Sequence, residues 1–423
     1  MKSKQFTYGI AAMAGLATLT SGVAFGAGFE KNILFSGKYA GRAGTGVSDA
    51  RGAEALFFNP AGLASGTPGI EATGDFSPTW AKFTAPLTQS GVGVNGNTTY
   101  DSLYGAFASY NINEHWGFGV GSYAGAGAHA EYDGATLSYP GLGTVTNDVK
   151  ARIYDTEASI GTGMEILPGL RLGAAWRATH VSATLNQLQA TTSSIASVSF
   201  NDLGVWRYNG FRLGAQYTNP DNTWGLGVTW RTAVNFNTAG NVSGTVSSAL
   251  TGGTPTAVAS TPATLGSTLP SQVTVGGNYQ LMPKTLKGFL EYVWTNYSTD
   301  QQLSVGGVFA GQTLPNQVLG FTNQSNIRLG FECTAVPNWV FRAGYVWTSQ
   351  VTPNVPANPV LEPPAHADTI TVGAGTTLIA DLLEVNGAFE YDWVDGSGTS
   401  AQAIAGEYSA KSYDLHLGAT VRF

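Results

Sequence analysis

The sequence predicts an all-β protein, a 14-stranded antiparallel transmembrane β-barrel with an N-terminal plug in its lumen. Three observations point to this fold class. Charged residues make up only 11% of the chain, against about 25% in a typical globular domain, while 56 of the 423 residues are glycine and 11% are aromatic. Apolar and polar residues alternate along many segments, and the connections between these segments alternate in length. A secreted β-sandwich or a surface-fibre protein is the alternative class.

The first residues have the pattern of an export signal. A short basic region precedes an apolar stretch at 9–19, and small residues follow at Ala24 and Gly26. We therefore predict a signal peptide over residues 1–26, cleaved after its last residue. Later in the chain no stretch reaches about 18 consecutive apolar residues, so we expect no helical membrane span.

Residues 27–68 differ from the rest of the chain, because they show no sustained alternation. In the stretch EALFFNPAGLAS, the apolar residues run into Asn59-Pro60, a turn signal that ends a helix or a strand almost at once. A barrel of about 8 strands is filled by side chains and one of about 16 is an open channel. Fourteen strands lie between these limits, so we expect residues 27–68 to plug the barrel formed by residues 69–423.

Alternation with a period of two residues marks the strands. In the last segment Tyr413, Leu415 and Leu417 share one face, and Asp414 and His416 share the other. Aromatic residues at the ends of such apolar stripes are typical of the two interfacial girdles of a membrane barrel. The predicted strands are 70–83, 100–112, 116–128, 151–165, 169–184, 204–218, 223–236, 271–281, 286–299, 325–335, 338–351, 367–379, 382–395 and 409–423.

The connections also favour a barrel in the outer membrane of a bacterium. Short connections with turn residues alternate with long ones, as periplasmic turns alternate with outer loops in such barrels. The long connections are 129–150, 185–203, 237–270, 300–324 and 352–366. We expect the segment 237–270, which is rich in Thr, Ser, Gly and Ala, to be a mobile outer loop.

The residues that carry catalytic or metal chemistry do not form a recognisable pattern. The five histidines are scattered, and no serine lies in a G-x-S-x-G sequence, so we predict no catalytic residues, no metal and no cofactor. A net charge of −7 does not indicate the basic surface that nucleic-acid-binding proteins have. Cys333 is the single cysteine, which excludes an intramolecular disulfide. An outer-membrane hydrolase remains an alternative, because its residues would meet only in the fold.

Charged residues on the polar strand faces allow two interpretations. Most of them are expected to form paired ladders that fill the lumen, and one or two arginines could instead meet an anionic headgroup. The residues concerned are Arg171, Arg177, Arg212, Arg231, Arg328, Arg342, Glu332, Glu384, Glu390 and Asp392.

The third predicted strand, WGFGVGSYAGAGAHA, is unusually rich in glycine. Glycines within a strand mark bulges, bends or close approach. Tight curvature of the wall explains them, and so does a kink that opens a gap in the wall. The sequence pattern by itself favours curvature.

The run GRAGTGVSDARGAEALFFNPAGLAS at 41–65 contains the triplet Asn59-Pro60-Ala61. This run resembles the N-terminal hatch, and the triplet looks like the NPA motif, of the family of FadL-type outer-membrane transporters of long-chain fatty acids and aromatic hydrocarbons. The start AGF at 27–29 is similar to its mature N-terminus. The stretches 273–298, 327–354 and 368–376 look like its central and C-terminal strands.

This resemblance implies passive uptake of a hydrophobic small molecule, with fatty acids as the first expectation and aromatic or alkane hydrocarbons as the second. Outer-membrane lipid is the other implied partner, and the expected channel is a monomer. The implied ligand-binding and gating residues are Phe29, Phe57, Phe58, Asn59, Pro60 and Ala61. A lateral opening is implied at the third strand, at Gly119, Gly121 and Gly125. The outer loops resemble nothing in the family, so the capture site and the headgroup arginine do not transfer. A general porin for polar solutes is the competing expectation.

Overall fold

The structure, a computed structural model, describes residues 33, 35–65, 67–87, 94–190, 193–299, 301–353, 363–379, 382–398 and 406–423. The predicted signal peptide and the start of the predicted plug lie outside these residues. Within them, none of the helices is long and apolar enough to cross a membrane.

Nineteen strand segments occur in the described part of the chain, together with one α-helical turn, α1 (Ala55–Phe58), and four short 3-10 turns. The strands are β1 Gly69–Ala85, β2 Val94–Asn113, β3 Trp116–Tyr139, β4 Gly143–Leu167, β5 Leu170–Ala190, β6 Ser194–Thr218, β7 Trp224–Arg231, β8 Val234–Ser248, β9 Thr256–Leu269, β10 Gln272–Met282, β11 Leu286–Thr295, β12 Gln302–Phe309, β13 Gln312–Thr313, β14 Gln317–Val318, β15 Gln324–Cys333, β16 Trp339–Thr348, β17 Ala367–Ile379, β18 Leu383–Gly398 and β19 Gly406–Arg422.

These segments form a closed antiparallel barrel with fourteen wall positions, as the sequence predicts. Strands β7 and β8 both pair with β6 and are the two halves of one long wall strand, and β9 and β10 form the next. Strands β12 to β14 lie outside the fourteen positions, above β11. The first strand pairs with the last along Glu71 to Thr84, and backbone hydrogen bonds between Ile70 and Phe423 complete the closure.

The two faces of the wall strands divide as the alternation predicts. Along β19, Tyr413, Leu415 and Leu417 are exposed on the outside, whereas Asp414 and His416 are fully buried on the inside. The exposed residues of the other strands include two groups of aromatics, near the short turns and near the outer end. Exposed apolar side chains at this density are typical of contact with lipid, which indicates that the barrel spans a membrane.

The long connections are mostly ordered strand rather than loop. The predicted loop 237–270 forms most of the hairpin of β8 and β9, and the loops 129–150 and 185–203 are continuations of β3 to β6. The prediction of a mobile loop at 237–270 was therefore wrong. The sequence of this hairpin is rich in Thr, Val and Ala, and its backbone is paired with neighbouring strands that extend beyond the membrane.

The extended strand ends enclose an apolar core at the outer end of the barrel. Its members come from strands around most of the circumference, including Phe83 of β1, Leu185 of β5, Phe236 of β8 and Tyr408 of β19. This core explains why the outer extensions are ordered: their inward faces are apolar and bury one another.

Candidate ligand-binding site

Residues 35–65, here called the plug, lie inside the barrel at the end that carries the short turns. Helix α1 is a single turn that stops at Asn59, whose extended backbone (φ −164°, ψ 107°) is the conformation expected before proline. The Asn59 side-chain amide donates to the carbonyl oxygens of Val47 at 2.7 Å and of Ala215 in β6 at 3.0 Å. Its oxygen accepts from the backbone N–H of Ala61 at 3.1 Å. One side chain therefore fixes the turn and ties it to the wall.

Three glycines of the wall lie where this turn touches it. A Cβ atom on Gly173 would clash with the backbone of Pro60 and Ala61, and one on Gly214 would clash with the Asn59 side chain. The same holds for Gly163, where a Cβ would lie 2.6 Å from the Pro60 carbonyl oxygen. Glycine is required at these wall positions because plug backbone packs directly against strand backbone.

Buried charges anchor the other half of the plug. Arg42 forms a bidentate pair with Asp49 (2.7 and 3.1 Å), and its guanidinium stacks 4.0 Å from the ring centroid of Phe289. Lys287 of the wall also reaches Asp49 at 3.3 Å. Burial by itself raises the pKa of Asp49, but the two cations outweigh it and lower the pKa to about 2. The carboxylate therefore stays ionised and holds the plug to β11.

Above the plug lies a cavity, here called the central cavity. Its floor is the apolar surface of the plug, formed by Val47, Phe57 and Phe58. The rings of Phe57 and Phe58 belong to an aromatic cluster that also includes Phe35, Phe107 and Tyr123, with centroids 4.7 to 6.4 Å apart. Aromatic groups at these distances pack favourably and form a stable apolar floor.

The lining of the central cavity also contains cationic groups. Arg212, Arg231 and Arg328 line it together with one carboxylate, Glu291. Glu291 accepts from the plug backbone at Gly46 and Val47, both at 2.6 Å. Arg212 donates to the carbonyl oxygen of Phe57, and its guanidinium lies 4.6 Å from the Phe57 ring. An apolar floor beside clustered guanidinium groups is suited to a molecule with an apolar body and an anionic end.

Arg171, Arg177, Arg342, Glu332 and Glu384 of the predicted lumen charges form ladders with neighbouring side chains. Arg177 is paired with Glu157, and both are fully buried. Arg342 donates to Glu332 at 2.8 Å and to Asn386 at 2.9 Å. The following pairs complete the ladder: Arg171 with Gln216 and Thr218, and Arg422 with Glu71 and Glu384.

One group of carboxylates in the wall has the composition of a cation site. Oxygens of Glu390, Asp392 and Asp414 lie within 4.8 Å of one another. Protein groups already hydrogen-bond to all three: Ser412 donates to Asp392 at 2.7 Å, Thr79 donates to Asp414, and His416 contacts Glu390 at 3.0 Å. These contacts account for the cluster as part of the wall, and the absence of a metal stays a prediction.

The wall is incomplete between β2 and β3. Their ladder runs from the short turn only as far as the pair Gly105 and Tyr123, although both strands continue well beyond it. Just past this pair β3 has a bulge at Gly125 relative to β4. The strands approach again higher up, where a Cβ on Gly96 would lie 2.9 Å from the carbonyl oxygen of Glu131. The gap between these two contacts is here called the window.

The window lies in the outer half of the membrane-spanning wall. Tyr110 and Tyr100 of β2 are both exposed to lipid, and ten residues separate them, the length of a strand that spans a bilayer. The window begins at Gly105, halfway between them. At the upper level Asp101 accepts from His129 of β3 at 2.7 Å and from Arg152 of β4 at 2.9 Å.

Behind the window lies a second cavity, here called the seam cavity. Side chains of β1 to β4 and β19 line it, most of them apolar. Leu103 and Tyr154 also pack against the aromatic cluster of the plug, so these two side chains separate the seam cavity from the central cavity.

The structure brings most of the predicted site residues together. Phe57 and Phe58 meet Gly125 at the central cavity, and Asn59, Pro60 and Ala61 form the turn below it. Phe29 lies outside the described residues. Gly119 and Gly121 pair with Ser109 and Phe107, below the window, and Gly119 faces Leu63 of the plug. These two glycines therefore do not border the gap, because they make room for the plug and for Phe107 instead.

The sequence reasoning missed the residues that shape the seam cavity and the glycines that receive the plug. Asp101 and His129 lie on different strands, and their pairing depends on the register across an interrupted ladder. The glycines at 163, 173 and 214 stand out in the sequence, because each lies on the polar face of a strand, where a polar side chain is expected. Their role in receiving the plug can be inferred only when the position of the plug is known.

Comparison with known proteins agrees with this architecture. The solved structures similar to this chain include a FadL homologue of Pseudomonas aeruginosa (16% identity, TM-score 0.75, covering 92% of this chain and 98% of that one). They also include the toluene transporters TodX of Pseudomonas putida (16%, TM-score 0.74, 93% and 99%) and TbuX of Ralstonia pickettii (17%, TM-score 0.71, 93% and 99%). At these identities the likeness establishes the fold alone.

No curated protein sequence matches the chain. A family model does match, that of the outer membrane protein transport proteins (OMPP1/FadL/TodX), and its match covers residues 17–423. This is a family of transport channels rather than of enzymes. The fold, the plugged lumen and this match over nearly the whole chain lead to one conclusion: the protein belongs to the OMPP1/FadL/TodX family, the outer-membrane channels for hydrophobic compounds.

Proposed function

We propose that the protein is a channel for passive uptake of long-chain fatty acids across the outer membrane. The observation that carries this proposal is the central cavity, in which three arginines and a single carboxylate lie beside an apolar floor. A fatty acid presents one anionic end and one apolar body. Its carboxylate loses hydration in the lumen and needs a charged donor in return, which Arg212, Arg231 or Arg328 supplies.

The proposed path runs from the central cavity through the window into the membrane. A hydrophobic molecule gains nothing from crossing the periplasmic turn end, where it would meet water. The window opens toward lipid beside Gly125, at the edge of the central cavity. In this proposal the plug is a gate, and Asn59, Pro60 and Ala61 set its position. The chain acts as a monomer, because one barrel contains both cavities and the window.

Arg212 links ligand binding to the plug in this proposal. Its guanidinium bonds to the Phe57 carbonyl oxygen, which lies on the plug. A ligand carboxylate that takes over this guanidinium releases a contact between β6 and the plug. Ligand binding and movement of the plug are then coupled, since the ligand binds more tightly to the state in which Arg212 is released.

Uptake of aromatic hydrocarbons is the second candidate. The aromatic cluster beneath the central cavity favours it, and monoaromatic hydrocarbon channels are among the similar structures. A neutral aromatic molecule has no anionic group that could pair with the three arginines, and fatty acids are therefore the first candidate. A porin for polar solutes is opposed by the apolar core at the outer end and by the plug.

The test is uptake of labelled oleate and labelled toluene by cells that lack their own transporter. Cells that carry this protein should take up oleate several-fold faster than cells with an empty vector. Faster uptake of toluene alone would favour the second candidate. If neither compound enters faster while the protein is present at the surface, transport of both classes is contradicted.

A further inference from the structure

The outer surface of the barrel carries a pair of lysines at the two strands that close it. Lys82 of β1 lies directly opposite Lys411 of β19, and both side chains are exposed on the outside. Residues directly opposite each other in an antiparallel pair have Cβ atoms about 4.5–5.5 Å apart, and like charges in this arrangement destabilise a sheet. The closing strands therefore carry an unfavourable pair, which an anion between the two ammonium groups would make favourable.

Other cations on the outside of the wall have acidic partners, which sets this pair apart. On β4, Lys150 lies 3.4 Å from Glu131, and Arg152 lies 2.9 Å from Asp101. In the part of the chain that the structure describes, no carboxylate lies within 4.0 Å of either ammonium group of the lysine pair. The pair is therefore open to an anion from outside the protein.

Two exposed carboxylates lie on the same face but further out. Asp395 of β18 is opposite Ser409, which is two residues beyond Lys411, and Glu407 lies beyond that on β19. Among the described residues neither forms an ion pair with Lys411. An anion at the lysine pair thus meets two cations directly, and the carboxylates stand at least one step further from the membrane.

Aromatic residues give the level of the lysine pair relative to the membrane. Two residues below it, Trp80 lies opposite Tyr413, and both are exposed. The ring of Trp80 lies 5.6 Å from that of Tyr100, and the ring of Tyr413 lies 4.9 Å from that of Tyr391. These rings belong to the outer group of aromatics, which marks the boundary between acyl chains and headgroups. Two residues along a strand span about 7 Å, so the lysine pair lies at the level of the lipid headgroups.

The polarity of the outer face changes in a fixed order along these two strands. Below the aromatics, Phe76 is opposite Leu417, and both are exposed to the acyl chains. Beyond the lysine pair, Thr84 is opposite Ser409 on the same face. The Thr84 hydroxyl donates to Asn95 at 3.0 Å, so its lone pairs are left to accept. From the membrane outward the face is apolar, then aromatic, then cationic, and finally lined with hydroxyl groups.

We propose that the outer face of β1 and β19 is a binding site for one phosphorylated glycolipid of the outer leaflet, of the lipid A class, whose phosphate lies between Lys82 and Lys411. The chain belongs to a family of outer-membrane proteins, and the outer leaflet of that membrane consists largely of such lipids. A phosphate monoester carries a charge of about −1.5 to −2 and three acceptor oxygens, so a single group pairs with both lysines. The acyl chains then lie along the apolar residues below, and sugar hydroxyls reach Thr84 and Ser409.

The bound lipid stabilises the closure of the barrel. It replaces a repulsive contact between the first and the last strand by two attractive ones, at the position where the chain closes on itself. This inference goes beyond the proposed function, and it holds whichever ligand the channel transports.

Native mass spectrometry of the purified, detergent-solubilised protein with diphosphoryl lipid A tests the site. The wild-type protein should retain one lipid A molecule. Lys82→Gln combined with Lys411→Gln, here called the double variant, should lower the affinity about tenfold or more, because two charge-assisted contacts are lost. Lys150→Gln combined with Lys284→Gln is the matched control, since it removes the same charge from other positions, and its binding should stay close to that of the wild type. Equal binding of lipid A by the wild type and the double variant would overturn the site.

Three further probes identify the chemistry that the site recognises. Lipid A without its phosphates and phosphatidylglycerol should each bind the wild-type protein more weakly than diphosphoryl lipid A. Inorganic phosphate in millimolar excess should not displace the bound lipid, because the acyl chains also contribute to binding. Equal binding of phosphatidylglycerol would show a site for any anionic lipid, and displacement by inorganic phosphate would show a simple anion site. Either result overturns the assignment to a glycolipid.

The heat stability of the barrel gives a second readout, in which the sign of the effect depends on the lipid. Heat-modifiable migration in gels reports the temperature at which the barrel unfolds, and it also confirms that each variant is folded. Without lipid, the double variant should be at least as heat-stable as the wild type, because it lacks the repulsion between the lysines. Added lipid A should raise the unfolding temperature of the wild type more than that of the double variant, since the lipid binds the closed barrel. An equal gain in both proteins, or a double variant that is less stable without lipid, contradicts the inference.

Discussion

Arg212 is the residue at which the apolar and charged parts of the lumen meet. It lies in the central cavity, stacks on Phe57 and bonds to the backbone of the plug. Arg177, on the neighbouring strand, is held by Glu157 and is therefore occupied. Two arginines on adjacent strands thus differ in role because only one of them has a carboxylate partner at hydrogen-bond distance.

Replacement of Arg212 by glutamine should separate anionic from neutral ligands. We expect Arg212→Gln to lower the uptake rate of oleate about tenfold, since a charge-assisted hydrogen bond contributes about 1.5–3 kcal/mol, and to leave toluene uptake within twofold. Uptake assays with both labelled compounds measure the difference. Arg207→Gln is the matched control, because Arg207 lies on the same strand and contacts the carbonyl oxygen of Asn235 outside the cavity. An equal loss for both compounds would contradict a headgroup role.

We expect Glu54 to make the seating of the plug dependent on pH. This plug residue is buried and one of its oxygens has no hydrogen bond. Burial, the largest cause, together with Glu71 and Glu384 raises its pKa to about 7, although Ser36 and Lys38 oppose the shift. A carboxyl whose pKa is higher in the folded state than in the unfolded state stabilises the fold at low pH, and this contribution is lost as pH rises from about 4.5 through 7.

Hydrogen exchange should therefore detect a looser plug at higher pH. After correction for the intrinsic exchange rate, protection of the amides in residues 50–58 should fall between pH 5 and pH 8. Glu54→Gln removes the titrating group, so protection in this variant should vary little with pH. A wild-type protein whose plug is equally protected at both pH values would exclude this role for Glu54.

The plug and the wall strands are in contact through their backbones. Gly173, on β5, faces the Pro60-Ala61 peptide with no space for a Cβ. The plug has little freedom to adjust there, since Asn59 fixes the same turn from both sides. A side chain on this wall position must therefore displace the turn.

Gly173→Val should unseat the turn while the barrel still assembles, because valine suits a strand and the lipid face is unchanged. We expect faster hydrogen exchange in residues 47–61 and an altered rate of oleate uptake. Gly387→Ala is the matched control, since a Cβ there meets its nearest neighbours at an ordinary 3.8 Å. Wild-type exchange in Gly173→Val would show that the plug does not depend on this contact.

Much of the architecture was predictable at the scale of elements, and the reasons lie in particular residues. Strands such as β19 alternate strictly between lipid and lumen, so both their position and their facing follow from the sequence. The hairpin of β8 and β9 was not predictable in the same way. It leaves the membrane, its outer face meets water, and small polar residues there look like a loop until the neighbouring strands are in place.

The candidate site was predictable in kind but not in detail. The sequence Asn59-Pro60 predicts a turn, and the many glycines of β3 predict an irregular strand. The partners of the turn come from distant strands: Ala215 and Gly173 are more than a hundred residues away in the chain. Asp101 and His129 are also paired only through the arrangement of separate strands. Contacts of this kind follow from strand register, which no local pattern encodes.

For the whole molecule, the lumen is obstructed twice, by the plug and by the apolar core at the outer end. Reconstituted in planar bilayers, the wild-type protein should show no steady ion conductance, because neither region offers a continuous polar path. Single-channel recording measures this, and an open trimeric porin reconstituted in the same way is the positive control. Steady conductance of the wild-type protein would favour the porin interpretation.

The close fit of the plug also bears on the order in which the protein assembles. The plug precedes β1 in the chain, and β1 is joined to the final strand by the pairing that includes Ile70 and Phe423. A segment that is made before the wall strands is thus enclosed by them. We expect the terminal strand to close around a segment already seated against its glycines, so that the barrel forms with the plug as its internal template.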